Sequence, residues 1–157
     1  EMIDIIPHSL LILAPARYNQ VHKQYNMNKI KAILHNKCYC HLQKKTGSLP
    51  SLRVVDQFCE PDLYYKYLSQ EPEIINSIHF TTKAENKFPA VAIASIFARY
   101  GFLCYFEKME ETYDIRLHKG ASDLVDEDIR RFIEKHGKDA LQNVGKLHFR
   151  KTEKALG

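Results

Sequence analysis

The sequence has no paired cysteine spacing. Its four thiols, Cys38, Cys40, Cys59 and Cys104, stand without the separated pairs that a structural zinc site or a disulfide framework needs. Free thiols in a reducing compartment, and hence a cytoplasmic location, are the expectation. There is no low-complexity stretch and no internal repeat. Neither sign of charge dominates: 23 Lys and Arg against 19 Asp and Glu leave a net charge of +4, which permits an anionic partner without demanding one. The opening, EMIDIIPHSLLILAPARY, lacks the basic start of a secretory leader, and Pro7 and Pro15 bracket a short strand-like run. Glu1 rather than methionine opens the chain, so residues are expected to precede it.

One apolar run is long. From Pro89 to Phe106 it is interrupted by Ser95, Arg99 and Gly101, and it approaches the length of a membrane span. Arg99 in its middle would be costly in lipid, and the run passes into the charged EKMEET. The expectation is a helix buried in the core of a water-soluble protein. Its small residues, Ala90, Ala92, Ala94 and Ala98, with Val91 and Ile96, suggest close packing on a sheet.

With 157 residues, 45% of them apolar and 27% charged, the chain has material for one domain over 1–157 with a real core. Strands and helices alternate along it. Ser9–Leu13 reads as a short strand. Asn28 is a cap for a helix to about Lys45, stopped at Gly47, with Ile30, Ile33, Leu34, Cys38 and Leu42 at helical spacing. Leu52–Phe58 and Ile74–Phe80 read as strands. Pro61 and Pro89 start helices, the first with Leu63, Tyr64, Tyr67 and Leu68 on one face. Ser122 caps a helix that turns Leu124, Val125, Ile129, Phe132 and Ile133 inward and ends at Gly137. A short helix is expected over 138–144.

Two acids sit at the ends of different elements. Asp56 lies in VVDQF, where alternation places it with Leu52, Val54 and Phe58. An acid on an apolar face needs a cation or hydrogen bonds to compensate it. A cap is the plainer explanation, but Pro61 is too far along for Asp56 to cap that helix. Glu85 follows Lys83 in FTTKAENKFP, and a first-turn acid stabilised by a helix N-terminus is its plainer explanation. Together the two suit a metal-dependent phosphodiesterase, where two hard cations about 3.5–4 Å apart are gripped by several carboxylates. Spacing alone names no reaction. In HNKCYCH, His35, Cys38 and His41 fall at i, i+3 and i+6, but no second ligand pair exists and ordinary helix positions explain them better.

Five segments carry a resemblance: YNQVHKQYNMNKIKAILHNK, VVDQFCEPDLYYKYL, HFTTKAENKFPAVAIASIFARY, KGASDLVD and HGKDALQNVGKLHF. In this order they are similar to the C-terminal two-thirds of the catalytic domain of ribonuclease HIII, a type 2 ribonuclease H. TKAE with its AVAxASIxAR helix and the terminal KLHF are specific to that branch. The resemblance implies an α/β, RNase H-like fold, a mixed sheet flanked by helices, without its first strands in this chain. It implies cleavage of the RNA strand of RNA–DNA hybrids with Mg2+ or Mn2+, and no obligate protein partner. In it Asp56 and Glu85 match the third and fourth of four metal-holding, catalytic carboxylates. It also implies substrate contacts from Asn28, Lys37, Lys83, Lys119 and Lys146.

The first two carboxylates of that family lie in a glycine-rich Asp-Glu segment with no counterpart here. The one Asp-Glu pair, Asp126-Glu127, has no flanking glycine and reads as first-turn acids. The family's N-terminal substrate-binding domain is also without a counterpart. The chain is therefore expected to be the C-terminal part of a longer polypeptide, carrying half of a metal site and inactive alone.

Overall fold

The computed structural model describes residues 5–120, 122–149 and 152. The chain divides into two compact units. Unit 1 comprises Glu1–Ile12 and Tyr25–Gly101, and unit 2 comprises Leu13–Gln24 and Phe102–Gly157.

In unit 1 a long helix, α2 (Met27–Thr46), follows α1 (Pro15–His22) of unit 2 in the chain. Its cap is Asn26, not Asn28. Asn26 holds the extended backbone a cap requires, its side chain accepts the Lys29 N–H at 2.9 Å, and its carbonyl accepts the Ile30 N–H. Asn28 lies inside the first turn. Two asparagines two apart offer two starts, and the earlier one gives the longer helix. Gly47, at φ 81°, closes α2 in the left-handed region, as its position predicts.

The buried line of α2 is Ala32, Asn36 and Cys40 with Ile30, while Ile33, Leu34, Cys38 and Leu42 are only half-buried. A polar residue defines this face, which apolar periodicity cannot reveal. Asn36 donates to the Glu73 carbonyl at 2.7 Å and accepts the Ile75 N–H at 2.9 Å, so its amide replaces water with backbone partners. Ala32 packs with Tyr64 and Leu68 around α3 (Pro61–Tyr67), walled by Phe58, Tyr65, Ile74 and Phe80.

Strands β1 (Arg53–Asp56) and β2 (Ile78–Thr81) pair in parallel, Arg53 opposite Ile78 and Asp56 opposite Thr81. Both are shorter than the sequence pattern suggests. Ser77, at φ 57°, puts a left-handed kink directly before β2 and ends the ladder there. At the other end Lys83 does the same, at φ 53°. The facing is also reversed from expectation. Val55 is the buried residue of β1, 2% exposed, while Leu52 and Asp56 are exposed.

Ser9–Leu13 forms no strand. This stretch packs on a helix instead: the His8 ring meets Phe97 edge-on at 5.1 Å, and Leu10 lies over Gly101 so closely that a Cβ there would be 2.8 Å from Leu10 Cδ2. That helix, α4 (Pro89–Tyr113), is long and apolar enough to cross a membrane by length and composition; its most apolar window has mean hydropathy 1.4 and is 11% buried. The expected burial is therefore not met. Phe97 and Gly101 are covered, while Ala90, Ala94, Ile96 and Ala98 are exposed, Ile96 by 54%. Composition marks α4 as apolar all round but says nothing about which layer covers it.

In unit 2, α5 (Asp123–His136) runs from Ser122 at its N-cap to Gly137, as the sequence suggests; Asp126 lies in its first turn, with Asp123 rather than Glu127 beside it. Ile129 and Phe132 pack with Leu141 of a 3-10 turn over Asp139–Asn143; Leu124 is exposed. Asn19 of α1 ties the end of the unit together. Its Nδ2 donates to the carbonyls of Gln142 and Gly145, and its Oδ1 accepts the Leu147 N–H.

Candidate metal centre at the ends of the parallel strands

Parallel strands finish at the same edge of a sheet, so β1 and β2 deliver their last residues side by side. Asp56 ends β1. Beyond Thr81 the chain turns through Lys83, whose left-handed backbone (φ 53°, ψ 43°) swings the next amide back toward β1. Asp56 Oδ1 accepts that amide, the N–H of Ala84, at 3.0 Å. Ala84 is fully buried and opens a 3-10 turn, Ala84–Asn86, in which Glu85 is exposed. Phe88 N–H returns to the Ala84 carbonyl at 2.9 Å, and Lys87 Nζ bonds Thr81 Oγ1 at 2.8 Å and the Thr82 carbonyl at 3.0 Å. The loop holding Glu85 is thus fastened at both ends, with Asp56 bonded to the residue just before it.

Asp56 does act as a cap, of the 3-10 turn rather than of the helix that starts at Pro61. It has a second oxygen to offer. Glu85 is a first-turn acid, as its plainer explanation has it, but of this 3-10 turn; the first turn of α4 carries no acid. The two carboxylates are hard oxygen donors of the kind Mg2+ and Mn2+ take. No group of three or more His, Cys, Asp or Glu suited to a metal occurs among the described residues. The donor chemistry fits a divalent ion; the number of donors is that of a partial cage.

Two side chains of α2 gather at the Phe58 ring, an association the sequence does not show. His35 of α2 lies 5.4 Å from Phe58, ring to ring, and Lys31 Nζ is 5.3 Å from the same ring. Burial pushes the His35 imidazole below its ordinary range; Lys31 adds to this and Asp56 opposes it. The signal available was Phe58, two residues beyond Asp56, but nothing ties it to α2 in sequence. In HNKCYCH, His35 turns to Phe58 and His41 is exposed, so the motif does not converge. The Cys38 thiol is pushed up by burial, against hydrogen bonds from Ser9 and the Leu11 backbone.

The expected substrate contacts divide between the units. In unit 1, Asn28 is half-buried in the first turn of α2, Lys37 Nζ reaches Glu71 at 4.0 Å, and Lys83 is exposed at the left-handed turn. In unit 2, Lys119 Nζ lies 4.3 Å over Phe106, and Lys146 Nζ lies 4.6 Å over Tyr18 and 5.5 Å over Phe149.

A family model for ribonuclease HII matches residues 1–152. The chain is 43% identical over 157 residues to the ribonuclease HIII of Bacillus licheniformis, covering 99% of this chain and 50% of that protein. It is 40% identical over 159 residues to the ribonuclease HIII of Listeria monocytogenes, covering 99% and 52%. A crystal structure of Bst-RNase HIII in complex with Mn2+ matches it with a TM-score of 0.94 at 36% identity, over 98% of this chain and 51% of that one. The chain spans about half the length of the curated relatives it matches. Its α/β architecture is that of the RNase H-like fold. The chain belongs to the ribonuclease HII family, and its similarity within that family runs to proteins named ribonuclease HIII.

Proposed function

We propose that this chain is part of a cytoplasmic, metal-dependent endonuclease that cuts the RNA strand of RNA–DNA hybrids, and that Asp56 and Glu85 are its share of the metal ligands. The observation that carries this reading is the Asp56–Ala84 hydrogen bond, which brings Asp56 to the loop that holds Glu85. Bound between such carboxylates, Mg2+ or Mn2+ would supply an activated water and charge stabilisation at the leaving oxygen. The chain's own contribution is to hold Asp56 at the end of β1 against the fastened loop that carries Glu85, and to offer basic side chains, Lys37, Lys83, Lys119 and Lys146 with Asn28, to the phosphate backbone. Selection of RNA over DNA would rest on the 2′-hydroxyl and groove shape.

The remaining ligands are assigned to a polypeptide equivalent to the other half of the relatives. The test is to incubate a labelled hybrid and Mg2+ or Mn2+ with the chain alone, and with the chain fused to the remaining half of the Bacillus licheniformis protein. The fusion is expected to cut and the chain alone is not. Asp56→Asn and Glu85→Gln should each abolish cutting by the fusion. Cutting that survives both substitutions overturns the assignment, and a folded, inactive fusion favours a non-catalytic hybrid-binding remnant or a structural module.

A further inference from the structure

The two-stranded sheet of unit 1 has a tyrosine at each outer edge. The Gln57 N–H donates to the Thr81 carbonyl at 3.0 Å. Backbone groups alternate in direction along a strand, so Arg53 and Val55 also turn theirs toward β2. Val54 and Asp56 turn theirs to the open side of β1, and Ile78 and Phe80 turn theirs to the open side of β2. On the first side the Tyr39 hydroxyl of α2 donates to the Val54 carbonyl at 2.7 Å. On the second the Tyr65 hydroxyl of α3 accepts the Ile78 N–H at 3.2 Å. Among the described residues no strand lies beyond either edge. An unpaired edge is a template for another strand, and a side chain that takes one of its groups blunts it. Burial pushes the Tyr39 phenol above its ordinary range, so the hydroxyl keeps the proton it donates.

We propose that Tyr39 is a placeholder, which holds the Val54 carbonyl until a strand from the polypeptide equivalent to the other half of the relatives pairs with the open side of β1 and displaces it, while Tyr65 is a permanent guard of the β2 side. The proposal rests on the metal reading above and adds what the edge beside Asp56 must release to receive the remaining ligands. This chain covers 50% of the Bacillus licheniformis protein, which leaves ample length for such a strand. Oxygens that share one ion lie within about 5 Å of each other, twice the metal–oxygen distance. A strand added beside β1 runs about 4.8 Å from it, and one added beside β2 runs about 10 Å from β1. The first brings a carboxylate to an ion that Asp56 holds; the second would have to reach across β2. Tyr39 suits the exchange chemically. It donates to a carbonyl, as the N–H of an added strand does, so the carbonyl passes from one donor to another and is never left bare.

The experiment follows amide exchange by NMR, without divalent metal, in the whole chain and in its fusion to the remaining half of the Bacillus licheniformis protein. The Val54 and Asp56 amides should exchange at least about tenfold more slowly in the fusion, because an added strand accepts them. In the chain alone Tyr39→Phe should speed exchange of the ladder amides of Val55 and Gln57 by about fivefold, the worth of one hydrogen bond, and in the fusion it should leave them unchanged. Tyr65→Phe should speed them in both. Equal exchange of Val54 and Asp56 in chain and fusion overturns the proposal, as does an effect of Tyr39→Phe that is the same in both. Protection of those two amides that grows with the concentration of the chain alone would give the edge to a second copy, and overturns it too. Cutting by the fusion judges the metal reading separately. A fusion that cuts with Val54 and Asp56 unprotected fails the proposal alone, and one that protects them without cutting fails the metal reading alone.

Discussion

Asp56 has two duties that two substitutions can separate. Its Oδ1 caps the 3-10 turn through Ala84 N–H, and its charge is proposed for a metal. Asparagine keeps an oxygen at the same place and loses the charge; alanine loses both. Removing a side-chain cap costs about 1 kcal/mol, within about 0.5–2. For a chain of 157 residues that is a fall in Tm of about 2–4 °C per kcal/mol. Asp56→Ala is therefore expected to be less stable than the unaltered chain by about 1 kcal/mol, and Asp56→Asn by less than about 0.5 kcal/mol, because a hydrogen bond to a neutral acceptor is weaker but present. Urea unfolding of all three proteins gives the stability difference, and calorimetric titration with Mn2+ gives the binding difference. Asn and Ala should lose Mn2+ binding equally while differing in stability. Equal stability of the two variants would refute the cap, and undiminished Mn2+ binding by Asp56→Asn would refute the metal assignment.

Three further outcomes follow from buried polar groups. The Tyr64 hydroxyl is buried with no hydrogen-bond partner among the described residues, so Tyr64→Phe should raise stability by about 1 kcal/mol in denaturant unfolding. Asn36→Ala strands the Ile75 N–H and leaves the Glu73 carbonyl only the Cys40 thiol, and should cost about 1–3 kcal/mol by the same measurement. Burial raises the Asp128 pKa, but the His118 N–H, Arg131 and the His118 ring outweigh it and hold the carboxyl below its ordinary range. A depressed folded pKa gives stability that is present above the unfolded carboxylate value near 3.8 and is lost as pH falls through the folded value. Unfolding followed from pH 5 down to pH 2 should therefore show a shallower acid loss in Asp128→Asn than in the unaltered chain.

Much of the architecture was legible because it rests on local chemistry. Pro61 and Pro89 at helix starts, Gly47 and Gly137 at helix ends, and the Ile129–Phe132–Ile133 face of α5 all express rules spanning a few residues. Two misreadings have another cause: the buried Asn36 and the inward Val55 depend on which partner lies opposite, and a partner far along the chain leaves no period in the sequence. The cap at Asn26 is instead a local choice between two asparagines two apart. The carboxylates were readable as residue types. That Asp56 reaches the turn just before Glu85 was not, because it depends on a left-handed Lys83, a conformation with no strong preference in a lysine side chain. The resemblance supplied what spacing could not.

The parallel ladder has a consequence for how this protein can be altered. The place of Asp56 beside the Ala84 turn is inherited from the pairing of Asp56 with Thr81, not from the length of chain between the two strands. The connection through α3 can therefore be lengthened at an exposed point such as Gln70 at small entropic cost, about 0.6 kcal/mol per doubling of a flexible loop, with the acids left in place. A slip of one residue in the ladder is another matter. It would carry Asp56 about 3.3 Å along the strand and turn Val55 out of the core. Val55, buried at 2% exposure, is thereby the gauge that keeps Asp56 in register with Thr81.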